Sequence, residues 1–289
     1  MALDMVSIGG VQVSRLAIGG NAFSGFSHQG AQRDSDFRKY YRFDKIKEAL
    51  FKAEAAGINT FFGRADNHVM RLMEEYWDEG GKIQWFAQSA SERPDYVRNI
   101  QAAADVGAKG MYLHGGVVDV FYRNGQFDDL RKAVDLMHSR GMAGGLAAHR
   151  WEPHEWVRDN MDVEFQLTCY YDPSPRTNSP HHVVTDHEKF DPAHRDRMAQ
   201  TIQTLKAPAV HYKVLAAGRT PADEAFSYVA NIIRPQDVVL VGFYLGDDED
   251  LIGKTAKLFE QIVQGRMRRS IPAGAVAMPS SQAAKQPKT

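Results

Sequence analysis

A single cysteine, Cys169, stands in 289 residues. An internal disulfide framework is therefore excluded, and a lone thiol suits a reducing compartment, so a cytoplasmic location is expected. Long apolar runs are missing too: none approaches the ~20 residues that a membrane-spanning helix needs. Residues Met1 to Gly10 lack the basic stretch and apolar core of a secretory leader. Neither sign of charge is in excess, with 35 Lys and Arg against 36 Asp and Glu and a net charge of −1. Such a balance gives no electrostatic pull toward nucleic acid or a membrane surface, which leaves a small molecule as the expected partner. The apolar fraction of 43% and charged fraction of 25% are ordinary for a globular chain. The length suits two ordinary domains or one α/β barrel of ~250 residues.

What is present is alternation. Val6-Ser7-Ile8 and Val11-Gln12-Val13 flank Gly9-Gly10, the pattern of a two-residue hairpin. A first barrel strand, Ser14 to Gly20, follows with Asn21 at its end. Strand signals then fall at Ile58–Phe62, Ile83–Ala87, Gly110–Leu113, Met142–Ala148, Val163–Tyr170, Ala209–Leu215 and Val238–Phe243. Helical stretches separate them at Phe43–Ala56, Asn67–Glu79, Asp95–Val106, Phe127–Arg140, Pro153–Asn160, Pro192–Leu205 and Pro221–Ile233, with Leu251–Val263 last. Eight βα units with parallel strands favour a closed (β/α)8 TIM barrel over a doubly wound sheet. The expected organisation is one barrel domain over residues 1–269 and a disordered tail over 270–289, where the composition turns to Ala, Pro, Ser, Gln and Lys. Two long loops, 22–42 and 172–190, interrupt the alternation. The second carries Pro173, Pro175, Pro180, His181, His182 and His187. Loops of this length are functional lids or disordered.

In such a barrel the chemistry sits at the C-terminal ends of the strands. The residues this places there are Asn21, Arg64, Asp66, Gln88, His114, His149, Arg150, Cys169, Tyr170, Lys213 and Tyr244. The set suits a hydroxylated ligand. His114 and His149 end adjacent strands and are candidates to shuttle protons or to share a divalent metal, with Cys169, Asp66 or a loop histidine as third ligand. No local metal signature supports the metal reading. Lys213 is a candidate Schiff-base lysine or anion holder, and Asp66 is a further catalytic candidate. Asn21, Arg64, Gln88, Arg150, Tyr170 and Tyr244 are candidate substrate-binding residues. The plainer roles are a structural histidine at 149, a small buried hydrophobe at Cys169, packing for Tyr170 and Tyr212, and an Arg64–Asp66 or Lys213–Asp66 ion pair.

The run Gly57-Ile58-Asn59-Thr60-Phe61-Phe62 and the opening hairpin with Val13-Ser14-Arg15-Leu16 resemble the aldo-keto reductases. So do His114 with Asp119, and the unit Pro221–Ile233 with Asp237-Val238-Val239-Leu240-Val241-Gly242. The resemblance spans Val6 to Val263. It implies a (β/α)8 barrel with a floor-plugging hairpin, a nicotinamide cofactor and a carbonyl-reducing tetrad of Asp, Tyr, Lys and His. On this sequence the tetrad positions hold Phe62, Asn67, Gln88 and His114, so only the histidine is kept. Asparagine cannot deliver a proton as a phenol does, and glutamine supplies no charge to stabilise a phenolate. For the cofactor, Tyr212 matches the tyrosine that stacks on the nicotinamide, and Gln166 the glutamine that holds its carboxamide. The basic phosphate loop is replaced by Tyr244-Leu245-Gly246-Asp247-Asp248-Glu249-Asp250, whose four carboxylates would repel a 2′-phosphate. The expectation is an enzyme acting on a sugar- or polyol-derived carbonyl compound by non-redox acid–base or metal-assisted chemistry, such as elimination, isomerisation or hydrolysis. The alternatives are a nicotinamide-dependent oxidoreductase with a non-standard proton donor, and a non-catalytic small-molecule-binding barrel.

Overall fold

The computed structural model describes residues 3–91, 95–171 and 190–270. Strands β1 (Met5–Ile8) and β2 (Val11–Ser14) form the expected hairpin, with Ile8 opposite Val11. Gly9 and Gly10 take φ of 56° and 82°, the left-handed pair that a two-residue turn with matching twist requires. The inward faces Val6, Ile8 and Val13 pack in one cluster with Phe62, Phe86, Tyr112 and Phe165. The hairpin thus plugs the barrel from below. Asn59 fixes it there, accepting from Ser14 N at 2.7 Å and donating to Gln12 O at 2.9 Å.

Eight parallel strands close the barrel: β3 (Leu16–Gly19), β4 (Thr60–Arg64), β5 (Gln84–Gln88), β6 (Gly110–Leu113), β7 (Ala143–Ala148), β8 (Phe165–Cys169), β9 (Ala209–Tyr212) and β10 (Val238–Gly242). They pair in chain order, and β10 returns to β3 with Val239 opposite Leu16 and Val241 opposite Ile18. Both faces of nearly every strand are buried, so the sequence shows continuous apolar runs rather than alternation. Inside, Phe62 lies 5.0 Å from Phe86, and Phe86 lies 5.4 Å from Phe165. Gly110 and Gly145 make room for these rings, since a Cβ at either would come within 2.5 Å of Phe86 or Phe165.

Outside the strands lie α1 (Ala31–Tyr40), α2 (Phe43–Ala55), α3 (Asn67–Asp78), α4 (Tyr96–Val106), α5 (Gly115–Arg123), α6 (Phe127–Ser139), α7 (Trp151–Asn160), α8 (Pro192–Ile202), α9 (Ala222–Ile232), α10 (Leu251–Phe259) and α11 (Gly265–Ser270). A π-helical turn, Glu260–Gln264, joins the last two. Helices α1 and α5 depart from the sequence expectation. The long loop 22–42 contains α1, whose few buried residues include Asp34 and Phe37, so it carries almost no apolar stripe. Helix α5 begins at Gly115-Gly116, between the strand and the helix expected at Gly110–Leu113 and Phe127–Arg140; burial of Val118 and Asp119 holds it. Most of the second long loop, with its three histidines, and the tail beyond residue 270 lie outside the described residues. Among the described residues no helix is long and apolar enough to cross a membrane.

A buried polar network fastens the closing strands. Asp237 accepts from Ala209 N at 2.8 Å and from the Arg234 guanidinium at 2.7 Å, and its carboxylate lies 3.2 Å from His211 Nε2. Tyr170 Oη lies in hydrogen-bond contact with His211 Nδ1 at 2.8 Å. Arg15, leading into β3, donates to Asp237 O at 3.1 Å. Burial works to raise the Asp237 carboxyl, but the hydrogen bonds and charges of His211 and Arg234 outweigh it and hold it at about 2.

Candidate functional site

A cavity of about 470 Å³ opens at the C-terminal end of the strands. Its floor is apolar, formed by Phe62, Ala147, Leu167 and Leu240 around the Tyr112 phenol. Tyr112 is 2% exposed and hydrogen-bonds Gln88. Burial pushes its phenol well above the ordinary 10.0, and the Gln88 contact and the Arg64 charge offset this only in part. Arg64, at the end of β4, donates from Nε to Asp66 at 3.1 Å. Asp66 is held in turn as the cap of α3, accepting from Val69 N at 2.9 Å.

The wall beyond β9 is conformationally unusual. Lys213, Ala216 and Ala217 take φ of 60°, 48° and 55°, and Gly218 follows at 83°. Non-glycine residues enter that region at a cost of order 1 kcal/mol each, so the surrounding structure must enforce it. Gly218 N donates to Leu215 O at 2.8 Å, and Ala216 N to Lys213 O at 2.9 Å. The tight turn brings Lys213, Gly218, Thr220 and the start of α9 onto the cavity wall.

The roof comes from the loop after β3 and from α1. Gln29 Nε2 donates to Ala217 O at 2.7 Å, and Arg219 reaches back to His28 O at 3.0 Å. At the outer rim Arg33 pairs with Asp247. Its guanidinium lies 4.5 Å from the Tyr244 ring and 5.3 Å from Phe37. Phe37 and Tyr244 are themselves stacked at 4.2 Å and 13°. Tyr41 ties the rim to the barrel, donating to Phe243 O at 2.8 Å and accepting from Leu245 N at 3.0 Å.

Six of the residues expected at the site meet in this cavity: Asn21, Arg64, Gln88, Tyr212, Lys213 and Tyr244. The others do not line it. His114 caps α5, its Nδ1 accepting from Gly116 N at 3.1 Å. His149 is buried with Nδ1 2.7 Å from Asp119, and its ring centre is 6.1 Å from that of His114. Among the described residues no group of three or more His, Cys, Asp or Glu side chains is placed to hold a metal ion, so the metal reading lacks support. Arg150 turns to Glu152 at 2.6 Å. Tyr170 is fully buried behind the barrel wall on His211, and Cys169 donates to Tyr171 O at 2.7 Å. Gln166 also faces outward: its Oε1 lies 2.8 Å from His154 Nδ1, while its neighbours Phe165 and Leu167 fill the lumen. The period of two along a strand forces this, since inward residues on either side put Gln166 on the helix side. Sequence reasoning passed over Tyr112 and Arg33. The same alternation, counted along β6, would have pointed Tyr112 inward; Arg33 gave no sequence signal.

No protein-family model matches the chain, and neither does any curated protein sequence. Solved structures do match. The aldo-keto reductase AKR11C1 from Bacillus halodurans, in its holo form, superposes with a TM-score of 0.56 at 10% identity, over 92% of this chain and 96% of that one. The glycerol dehydrogenase AKR11B4 from Gluconobacter oxydans gives 0.53 at 13% identity, over 98% and 100%. A variant of Gox0644 in complex with NADPH gives 0.57 at 10%, over 96% and 97%. At such identities the likeness is one of fold: the chain has the aldo-keto reductase type of barrel, hairpin included.

Proposed function

We propose that the protein is an oxidoreductase for small hydroxylated carbonyl compounds, working with a nicotinamide dinucleotide but without the usual tetrad. The observation that carries this reading is one continuous cavity, running from Tyr112 at the lumen floor past Tyr212 and the start of α9 to the Tyr244 rim. A dinucleotide presents two flat bases joined by a pyrophosphate, and the residues fit each part. Tyr212 offers an aromatic face near the lumen. The first-turn N–H groups of α9, beside Gly218 and Thr220 on the cavity wall, offer backbone donors and a positive dipole end in the middle. Tyr244, stacked on Phe37, offers a second aromatic group at the rim. Asp223 and Glu224 in the first turn of α9 are exposed, so solvent screens them from a phosphate there. Barrels of the same fold include a glycerol dehydrogenase and a protein solved with NADPH, in keeping with this reading.

A nicotinamide held beside Tyr212 would supply or accept the hydride at the substrate carbon. The chain's own part is to hold the oxygen. Tyr112 carries its proton throughout the neutral range in the free protein, so its O–H donates to a carbonyl oxygen set above Phe62, gives up that proton to the alkoxide that hydride addition would leave, and regains one from solvent through the open cavity once product departs. Gln88 orients the phenol, and Arg64, steadied by Asp66, supplies positive charge beside it. Phe62, Leu167 and Leu240 keep water from the floor, which strengthens these interactions. Lys213 on the opposite wall serves a substrate hydroxyl or acid group. Phe62 and Gln88 replace the tetrad's carboxylate and ammonium together, as physics demands: a buried ammonium stripped of its carboxylate would be several kcal/mol unfavourable. The non-redox alternative leans on His114 and His149, and neither ring lines the cavity.

Titration of the purified protein with NADH and NADPH, followed by fluorescence, tests the reading. Saturable binding of at least one is expected, with Tyr112→Phe binding it equally well but turning over about 10²-fold slower. Absence of binding by either at millimolar concentration would refute it and leave cofactor-free acid–base chemistry as the second reading.

A further inference from the structure

We infer that the rim of the cavity selects NAD(H) and rejects NADP(H); this rests on the dinucleotide reading above. Three features meet at the rim: the stacked Phe37 and Tyr244 rings, the Arg33 guanidinium lying against both, and the Asp247 carboxylate paired to Arg33. The stacked rings and the guanidinium beside them make an aromatic, cationic cluster whose chemistry suits adenine. Beside it Asp247, with its side chain 59% exposed, remains open to hydrogen bonds from a ribose diol. An acidic side chain on the ribose hydroxyls is a general means of favouring the dinucleotide without a 2′-phosphate.

The charge balance decides against the phosphorylated form. The lysines and arginines among the described cavity-lining residues are Arg33, Arg64 and Lys213. Arg64 lines the lumen floor and Lys213 follows β9, so Arg33 alone stands at the rim. Its charge is matched by Asp247, and the pairing raises the hold of the guanidinium on its proton. A 2′-phosphate, carrying close to two negative charges, would have to approach Asp247 and draw Arg33 away from it. The ribose hydroxyl of NAD(H) leaves the ion pair intact.

Fluorescence titration at fixed ionic strength with NADH and NADPH, on the full chain, tests this. The expected result is NADH binding at least tenfold tighter than NADPH. Asp247→Ser should weaken NADH several-fold and strengthen NADPH, by freeing Arg33, so that the ratio shifts tenfold or more. Asp250→Asn removes the same charge outside the cavity and should leave the ratio unchanged. Equal binding, an NADPH preference, or the same ratio shift from Asp250→Asn would overturn the inference while leaving the dinucleotide reading intact. Failure of both nucleotides to bind would overturn both.

Discussion

Removing the charge of Asp237 without changing its shape, as Asp237→Asn, tests whether the buried network fastens the barrel. The side chain is fully buried and accepts from Ala209 N, from Arg234 and from His211. Its carboxyl is held at about 2 rather than the ordinary 3.8, which is worth roughly 2 kcal/mol of stability at neutral pH. The amide also turns a donor toward a guanidinium, so the full loss should be about 2–4 kcal/mol. The sign follows from the depressed value. The contribution is complete above about pH 4 and falls away as the pH drops toward 2, with roughly half remaining at pH 3. Urea unfolding of the two proteins at pH 7 and pH 3 would show it. The reasoning fails if the two differ by less than about 0.5 kcal/mol at pH 7, or if the gap at pH 3 is as wide as at pH 7.

Gly9→Ala should destabilise by about 1–3 kcal/mol, because φ is 56° and the new Cβ would meet the Ala143 Cβ at 2.8 Å; a thermal melt reads it. Gly110→Ala should cost a similar amount, with its Cβ 2.5 Å from the Phe86 ring, and near-ultraviolet circular dichroism should register the displaced aromatic. His114→Ala should lose the cap on α5, about 0.5–2 kcal/mol, yet slow turnover far less than Tyr112→Phe. Rates should show no loss from Tyr112 ionisation up to pH 9, since burial raises the phenol above 10.0; a basic limb below pH 9 that vanishes in Tyr112→Phe would contradict this.

The barrel was readable because apolar runs and helical stretches alternate eight times, and because Gly9-Gly10 admits few structures besides a hairpin. The strand ends were readable less well. The strand expected at Ile58–Phe62 runs from Thr60 to Arg64, since Asn59 is drawn off to bind the hairpin. Which strand-end residues enter the cavity depends on the parity of each strand, and a shift of one residue reverses it. Gln88 and Tyr212 fell on the inner side; Gln166 fell on the outer. Arg150, set just past β7, was spent on Glu152 by a helix start that only the folded chain reveals. The rim pair Arg33 and Asp247 is 214 residues apart in sequence, and nothing local announces such a contact.

The pairing of β10 with β3 has a consequence for how the chain is made. Arg15 finds its acceptor on Asp237 across 222 residues. At the usual 5–20 residues per second, roughly ten to forty-five seconds of translation pass before that acceptor exists. Through that interval β3 has an unpaired edge and the hairpin has no closed lumen to plug. A nascent chain stopped near residue 230 should therefore sediment or recruit a holdase, whereas one released after α11 should close by itself.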